Sequence, residues 1–117
     1  MPRYVILEHD HPELHWDLML EIDAALKTWR LPAPPPEQPA TALALGNHRI
    51  DYLEYEGPVS GDRGTVKRWD AGTYEALDWV ESNEWAIELR GARWQGTVQL
   101  QHYYGKTWSL HCTPASR

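Results

Sequence analysis

Two histidines and an aspartate near the start of the chain have the residue types and the spacing of a metal site. His9 closes a short apolar run, and His15 and Asp17 stand two residues apart in an alternating segment. Side chains two apart in a strand point to the same face, so His15 and Asp17 project together, and a hairpin would bring His9 beside them. Two imidazoles and a carboxylate suit a divalent transition ion such as Mn, Zn or Fe and leave positions open for water or substrate. The spacing therefore predicts a divalent metal site at the first hairpin.

A simpler interpretation of the same pattern is a solvent-facing strand surface. His15, Asp17 and Glu21 alternate with apolar residues and would form the wet face of a half-buried strand. The opposite face of that strand would carry Leu14, Trp16, Leu18 and Leu20. Short His and Asp patterns also arise often by chance. The spacing alone leaves both interpretations open.

A second group of candidates follows the strand break at Gly46-Asn47. His48 and Tyr52 have the chemistry for phosphate contact or proton transfer, although each taken alone also fits a packed or exposed polar position. The remaining histidines have no evident partner and are expected at structural or exposed positions: His11, His102 and His111.

The elements that must position these residues are short strands separated by turns. A hairpin is predicted from residues 4–8 and 14–21, and the later strands are predicted over residues 26–31, 41–45, 65–69, 73–77, 85–89, 97–103 and 107–112. Turns are predicted at 21–24 and at Asp-Ala-Gly 70–72, and the prolines of 32–39 indicate a surface loop. Residues 49–55 are ambiguous, and 74–83 has a weak helical alternative. This spacing is typical of a β-barrel or sandwich, and we predict an all-β, compact single-domain β-barrel of mainly antiparallel strands with little helix.

Length, charge and cysteine content restrict the class of protein. At 117 residues the chain is expected to form one domain, 1–117, and with no Phe most of its seven Trp should fill the core. The single Cys112 excludes an internal disulfide, and we expect a cytoplasmic protein with no signal peptide or membrane span. A formal net charge of -6 excludes a broad basic surface for long nucleic acid, so any such contact should be local, at an end.

Three ordered blocks resemble the 3'-phosphoesterase domain of the bacterial ligase D family, which heals DNA ends in end-joining repair. The first block is residues 9–21 followed by 26–32, which begins with His-Asp-His-Pro-Glu-Leu-His-Trp-Asp. The second runs from Asn47 through Gly57 and includes His-Arg-Ile-Asp-Tyr, and the third is the glycine-threonine segment 64–74. The resemblance covers most of the chain.

The resemblance implies a divalent metal cofactor, usually taken as manganese, bound by His9, His15 and Asp17, with His48 and Tyr52 in the same active site. It also implies a nucleic-acid 3' end or a small phosphoester as the partner, with ligase or polymerase repair proteins as further partners and no membrane. The leading hypothesis is therefore a metal-dependent phosphoesterase that removes a 3'-ribonucleotide or a 3'-phosphate. In it the ion neutralises phosphate charge, His48 donates a hydrogen bond or proton, and Tyr52 positions it.

The chain also departs from the family pattern. Met19 stands where the family has an Arg that is expected to bind a phosphate oxygen, and Ala33 stands where it has a Lys. Charged residues ahead of His48 are replaced near Ala40 and Gly46. Cations that could supply the missing charge from another direction are Lys27, Arg30 and Arg49. Two alternatives therefore stand beside the leading hypothesis: a catalytically reduced module that binds metal and nucleic-acid ends, and a non-haem iron oxygenase on a cupin-like barrel.

Overall fold

Eight strands close into an antiparallel barrel in the computed structural model, which describes residues 2–35, 40–80 and 83–115. The elements in chain order are β1 (Arg3–His9), β2 (His15–Ile22), β3 (Ala25–Leu31), β4 (Ala40–Ala44), β5 (His48–Arg49), the 3-10 turn η1 (Ile50–Leu53), β6 (Gly57–Pro58), β7 (Thr65–Val80), β8 (Glu84–Gly91), β9 (Gln95–Tyr104) and β10 (Thr107–Pro114). The barrel order is β1-β2-β3-β4-β10-β9-β8-β7, and β7 returns to β1. This confirms the predicted fold class. Within the described residues no helix has the length and apolar character needed to cross a membrane.

The wall formed by β1, β2 and β3 is buried on both faces. One face of each strand turns into the lumen, where the Trp29 ring lies edge-on to those of Trp85 and Trp108, with centroids 5.6 and 5.7 Å apart. The other face carries a second apolar cluster on the outside of the barrel, which includes Met19 and is covered by Leu53 of η1. Alternating side chains of these strands therefore enter two different buried environments. The face of β2 that carries His15 and Asp17 is covered, which rules out the interpretation of it as a solvent-facing surface.

Strand β7 is longer than the sequence predicts. The turn expected at residues 70–72 is wrong, because this segment continues the strand, which pairs with β1 through its first half and with β8 through its second. Gly72 takes part in both ladders, and a Cβ there would clash with the backbone of Arg90, so this glycine permits a close approach of two strands. The helical alternative is also wrong over 74–80, which belong to β7; residues 81–82 lie outside the described part of the chain.

The structure also defines the segment that the sequence left ambiguous, part of the proline loop and the β2–β3 turn. Residues 49–55 contain the end of β5 and then η1, whose last turn is closed by a hydrogen bond from the Glu54 N–H to the Asp51 carbonyl. Residues 32–35 form bends and a turn, whereas residues 36–39 of the predicted proline loop lie outside the described ranges. The β2–β3 turn is confirmed at residues 23–24, so this hairpin has a two-residue connection.

Asp70, which the sequence places in a turn, is a buried structural anchor in the middle of β7. Its carboxylate accepts hydrogen bonds from the backbone N–H groups of Ala71, Arg93 and Trp94 at 2.8 to 3.0 Å and from the Tyr4 hydroxyl at 3.2 Å. Burial, and then the negative charge of Asp70, raise the pKa of Tyr4 far above its ordinary value. The carboxylate therefore joins β1, β7 and the β8–β9 connection.

The thiol of Cys112 is expected to resist modification in the native protein. It is fully buried in the lumen cluster, and burial raises its pKa to about 11, so roughly one thiol in a thousand would be ionised at pH 8. A disulfide reagent at pH 8 should label Cys112 only as fast as the chain unfolds, and at once in strong denaturant. Rapid full labelling of the native protein would contradict this packing.

Candidate active site

The first hairpin brings His9, His15 and Asp17 to one point on the outer face of the barrel wall. In the β1–β2 register, His9 stands opposite His15. One ligand atom from each of the three side chains lies within 4.8 Å of the others. Asp17 Oδ2 is 3.3 Å from His15 Nε2 and 3.9 Å from His9 Nδ1. Because His15 and Asp17 are only 5% and 4% exposed, they are not the wet face of a strand.

Backbone carbonyls orient both imidazoles. His9 Nε2 lies 2.7 Å from the Arg63 carbonyl, and His15 Nδ1 lies 2.8 Å from the Glu13 carbonyl. A carbonyl oxygen only accepts, so these ring nitrogens carry the protons and donate them. In the neutral rings the opposite nitrogens, His9 Nδ1 and His15 Nε2, then present lone pairs toward Asp17. Hydrogen bonds of this type are the usual support of metal-binding histidines.

The donor set fits a divalent cation. Two imidazole lone pairs and a carboxylate converge, and such a group is repulsive unless a positive charge lies between its members. The distances of 3.3 and 3.9 Å from Asp17 Oδ2 to the two ring nitrogens are comparable with the roughly 3 to 4 Å expected between ligand atoms that bind one ion at about 2.1 Å. Asp17 Oδ1 is also buried with no hydrogen-bond partner among the described residues. A buried oxygen without a partner requires a compensating group, which a cation or its water can supply.

His48 and Tyr52 line the same cleft as His9 and Asp17. The cleft has a volume of about 350 Å³, and its lining includes His9, Asp17, His48 and Tyr52. His48 Nδ1 donates to the Gly46 carbonyl at 2.9 Å, which leaves Nε2 available to a bound molecule. The His48 and Tyr52 rings meet edge to face at 6.0 Å. The structure therefore places all five residues predicted from the sequence around one site, since His15 adjoins His9 and Asp17.

The three candidate cations of this region occupy different environments. Arg30 lines the cleft beside Met19 and is the register partner of Asp17 on β3. Lys27 lies on the opposite face of β3, with its ammonium 5.2 Å from the centre of a tryptophan ring. Arg49 is an exposed side chain that pairs with an aspartate at 3.0 Å and does not line this cleft. Of the three, the geometry places Arg30 at the triad.

Sequence reasoning missed the backbone groups that hold the site together. The loop before β7 supplies the Arg63 carbonyl to His9, and Asp10 Oδ1 accepts a 2.8 Å hydrogen bond from the Thr65 N–H. Gly64 between them has a φ of +76°, and a Cβ there would clash with Asp10 and His11. Only the glycine at 64 gave a signal in the sequence, because a positive φ beside a close contact requires this residue.

The sequence of the chain is similar to sequences of known proteins. The chain matches the family described as the DNA Ligase D 3'-phosphoesterase domain over residues 7–102. It is 37% identical over 108 residues to the multifunctional non-homologous end joining protein LigD of Pseudomonas aeruginosa, which covers 84% of this chain and 13% of that protein. It is 32% identical over 117 residues to the corresponding DNA repair protein LigD of Mycobacterium tuberculosis, with 92% of this chain and 15% of that protein covered. The chain thus spans about a seventh of the length of these relatives.

Proposed function

Because the chain belongs to the DNA ligase D 3'-phosphoesterase domain family, we propose that it is a metal-dependent phosphoesterase that acts on the 3' ends of nucleic acid in DNA end repair. The reaction would remove a 3'-ribonucleotide or a 3'-phosphate and leave an end that a ligase or polymerase can use. The observation that carries the proposal is the convergence of two imidazoles and a carboxylate in a cleft that also holds a histidine and a tyrosine. The family membership favours this reaction over the iron oxygenase alternative.

In this proposal His9, His15 and Asp17 hold a divalent ion, for which manganese is our first candidate and zinc another. When bound, the ion supplies Lewis-acid stabilisation of the negative charge that develops on the phosphate oxygens. The chain contributes the fixed direction of both imidazoles, set by the Glu13 and Arg63 carbonyls. It also limits water at the site, because His15 and Asp17 are buried.

His48 and Tyr52 provide further polar groups in the cleft. With Nδ1 committed to the Gly46 carbonyl, His48 can present Nε2 to the phosphoryl group or to the leaving oxygen, where it donates a hydrogen bond or transfers a proton. Tyr52 packs edge to face on this ring and so restricts its orientation. The pair would therefore act on the substrate from the part of the cleft wall that β5 and η1 form.

Replacement of His48 by Gln tests the proton-transfer role. Glutamine can still form a hydrogen bond but cannot shuttle a proton, so we expect kcat to fall about 100-fold, with Mn²⁺ affinity unchanged. Steady-state cleavage and calorimetric metal titration measure the two quantities. His102→Gln is the matched control, because His102 binds a carbonyl in the β9–β10 turn. An unchanged kcat in His48→Gln would exclude this role.

The experiment that tests the whole proposal is an end-processing assay on a primer-template with a 3'-ribonucleotide or a 3'-phosphate. We expect cleavage that requires a divalent ion, is supported by Mn²⁺ and is abolished by a chelator. The 3'-phosphate and 3'-ribonucleotide substrates should be assayed separately, since release of a nucleoside and release of phosphate are different products. No turnover of either substrate with Mn²⁺, Zn²⁺, Co²⁺ or Mg²⁺ would contradict the proposal.

A second candidate function is a module that binds metal and nucleic-acid ends without catalysis. The observation that favours it is the buried Met19 in the cleft, since a thioether cannot bind phosphate as a guanidinium does. Protection of an oligonucleotide end with no product, in the presence of tightly bound Mn²⁺, would identify this function.

A further inference from the structure

We propose that Arg30 is the residue that binds the substrate phosphate beside the metal triad in this chain. The inference rests on the proposed function, since it assumes a phosphoester substrate in the cleft. It assigns the anion-binding role to β3, whereas His9, His15 and Asp17 come from β1 and β2.

The position of Arg30 is fixed by strand register. Asp17 on β2 pairs with Arg30 on β3, and neighbouring residues in register point to the same face of a sheet. Arg30 lines the cleft that contains His9, Asp17, His48 and Tyr52. It therefore lies on the outer wall of the barrel, at the edge of the candidate metal centre.

Arg30 has no protein partner that would explain its charge. It makes no hydrogen bond or ion pair with any residue that the structure describes, and its Nε is buried. Its neighbour Asp17 turns its carboxylate to the two imidazoles instead. Each of the other described arginines contacts an acceptor of the protein: Arg3, Arg49, Arg63, Arg68, Arg90 and Arg93.

The chemistry of this arginine matches a phosphate. A guanidinium offers donors in a fixed planar fork that fits two phosphate oxygens, and charge-assisted pairs of this kind are among the strongest hydrogen bonds in proteins. In a chain with a formal net charge of -6, an anionic substrate needs local positive charge to enter the cleft. Met19, on the same face two residues after Asp17, supplies none.

Arg30 also stands at the junction of two clefts. The second cleft, of about 400 Å³, is lined by Arg30 and His15 together with apolar side chains that include Leu14 and Leu43. A phosphate held at Arg30 would therefore lie between two concave surfaces, with room for a substituent on either side. This placement suits a phosphoester that links two groups.

The test measures phosphate binding apart from turnover. Calorimetry gives the Kd of inorganic phosphate and of a 3'-phosphate oligonucleotide for the Mn²⁺-loaded protein, and a separate titration gives the Kd of Mn²⁺. For Arg30→Met we expect both phosphate ligands to bind about tenfold more weakly or worse, and for Arg30→Lys a smaller loss, because lysine keeps the charge without the fork. Mn²⁺ should bind as well as before or more tightly, because a nearby positive charge has been removed.

Arg90→Met is the matched control, because it removes the same charge from β8 on the opposite side of the barrel. It should leave phosphate affinity within about twofold of the parent chain. If Arg30→Met does not fold, Arg30→Gln also removes the charge but keeps a polar group at the end of the side chain.

Equal phosphate affinity in the parent and in Arg30→Met would overturn the inference. A loss of Mn²⁺ binding in Arg30→Lys would also overturn it, because Arg30 would then support the metal site and not the phosphate. If the parent protein with Mn²⁺ neither binds phosphate nor cleaves either end substrate, the proposed function fails and the inference fails with it. Phosphate binding that is insensitive to Arg30 removes the inference alone.

Discussion

An Asp17→Asn variant is expected to lose metal-dependent cleavage almost completely while remaining folded. The carboxylate is the only charged member of the triad when the imidazoles are neutral, so its removal weakens the hold on a divalent ion. A metal ion supplies several kcal/mol of transition-state stabilisation, which corresponds to a rate loss of roughly 10³-fold or more. Single-turnover cleavage at an Mn²⁺ concentration that saturates the parent protein measures this loss.

The same substitution should not lower the stability of the metal-free protein, although it abolishes cleavage. Asp17 Oδ1 is buried without a partner among the described residues, and with both imidazoles neutral Oδ2 faces two ring lone pairs. In that state the carboxylate destabilises the metal-free fold. We expect the thermal midpoint of Asp17→Asn in chelator to equal or exceed that of the parent. Mn²⁺ at 100 times its Kd should stabilise the parent by about 2.7 kcal/mol and leave the variant unchanged.

His111→Ala is the control for this pair of measurements, since His111 is an exposed residue of β10, outside the cleft. It should keep both cleavage and the Mn²⁺-induced rise in midpoint. An Asp17→Asn protein that is still stabilised by Mn²⁺ would place the ion elsewhere.

An Asp70→Ala variant is expected to lose about 3 to 5 kcal/mol of stability, without any direct contact between this residue and the triad. Truncation leaves the buried Tyr4 hydroxyl and three partly buried backbone N–H groups without their acceptor. Each buried donor left without a partner costs about 1 to 3 kcal/mol, although relaxation and water reduce the sum. Urea denaturation followed by tryptophan fluorescence gives the free energy of unfolding.

Two further variants separate the parts of this anchor. Tyr4→Phe removes one of the four donors and should cost about 1 to 2 kcal/mol. Asp78→Ala, at an exposed position on the same strand, should change the free energy of unfolding by less than about 0.5 kcal/mol. Equal effects of Asp70→Ala and Asp78→Ala would show that the buried carboxylate does not stabilise the barrel.

The first hairpin could be predicted from the sequence because its signals are local. The polar segment between His9 and His15 marks the connection, and period two puts His15 and Asp17 on one face. The convergence of the three side chains needs no contact from a distant part of the chain. The presence of His48 and Tyr52 in the same cleft followed from the family resemblance and not from spacing.

Long-range pairing determined what the sequence did not predict. The Asp-Ala-Gly segment at 70–72 has the composition of a turn, yet it continues a strand. Three of the four donors to Asp70, those of Tyr4, Arg93 and Trp94, meet its carboxylate only in the closed barrel. The pairing of Arg30 with Asp17 could in principle have been predicted from the sequence. A two-residue turn at 23–24 pairs Ile22 with Ala25 and therefore Asp17 with Arg30, but the turn had been placed only within a four-residue window.

The outward direction of the triad has a consequence for the size of the molecule that can be processed. Packed side chains, including the rings of Trp29, Trp85 and Trp108, fill the lumen, so a polymer could not bind inside the barrel, whereas the candidate cleft opens on the outer wall. A polymer can approach this wall from the side and dissociate without being threaded through a pore. Neither the length of the polymer nor the structure at its far terminus would then limit access to the reacting end.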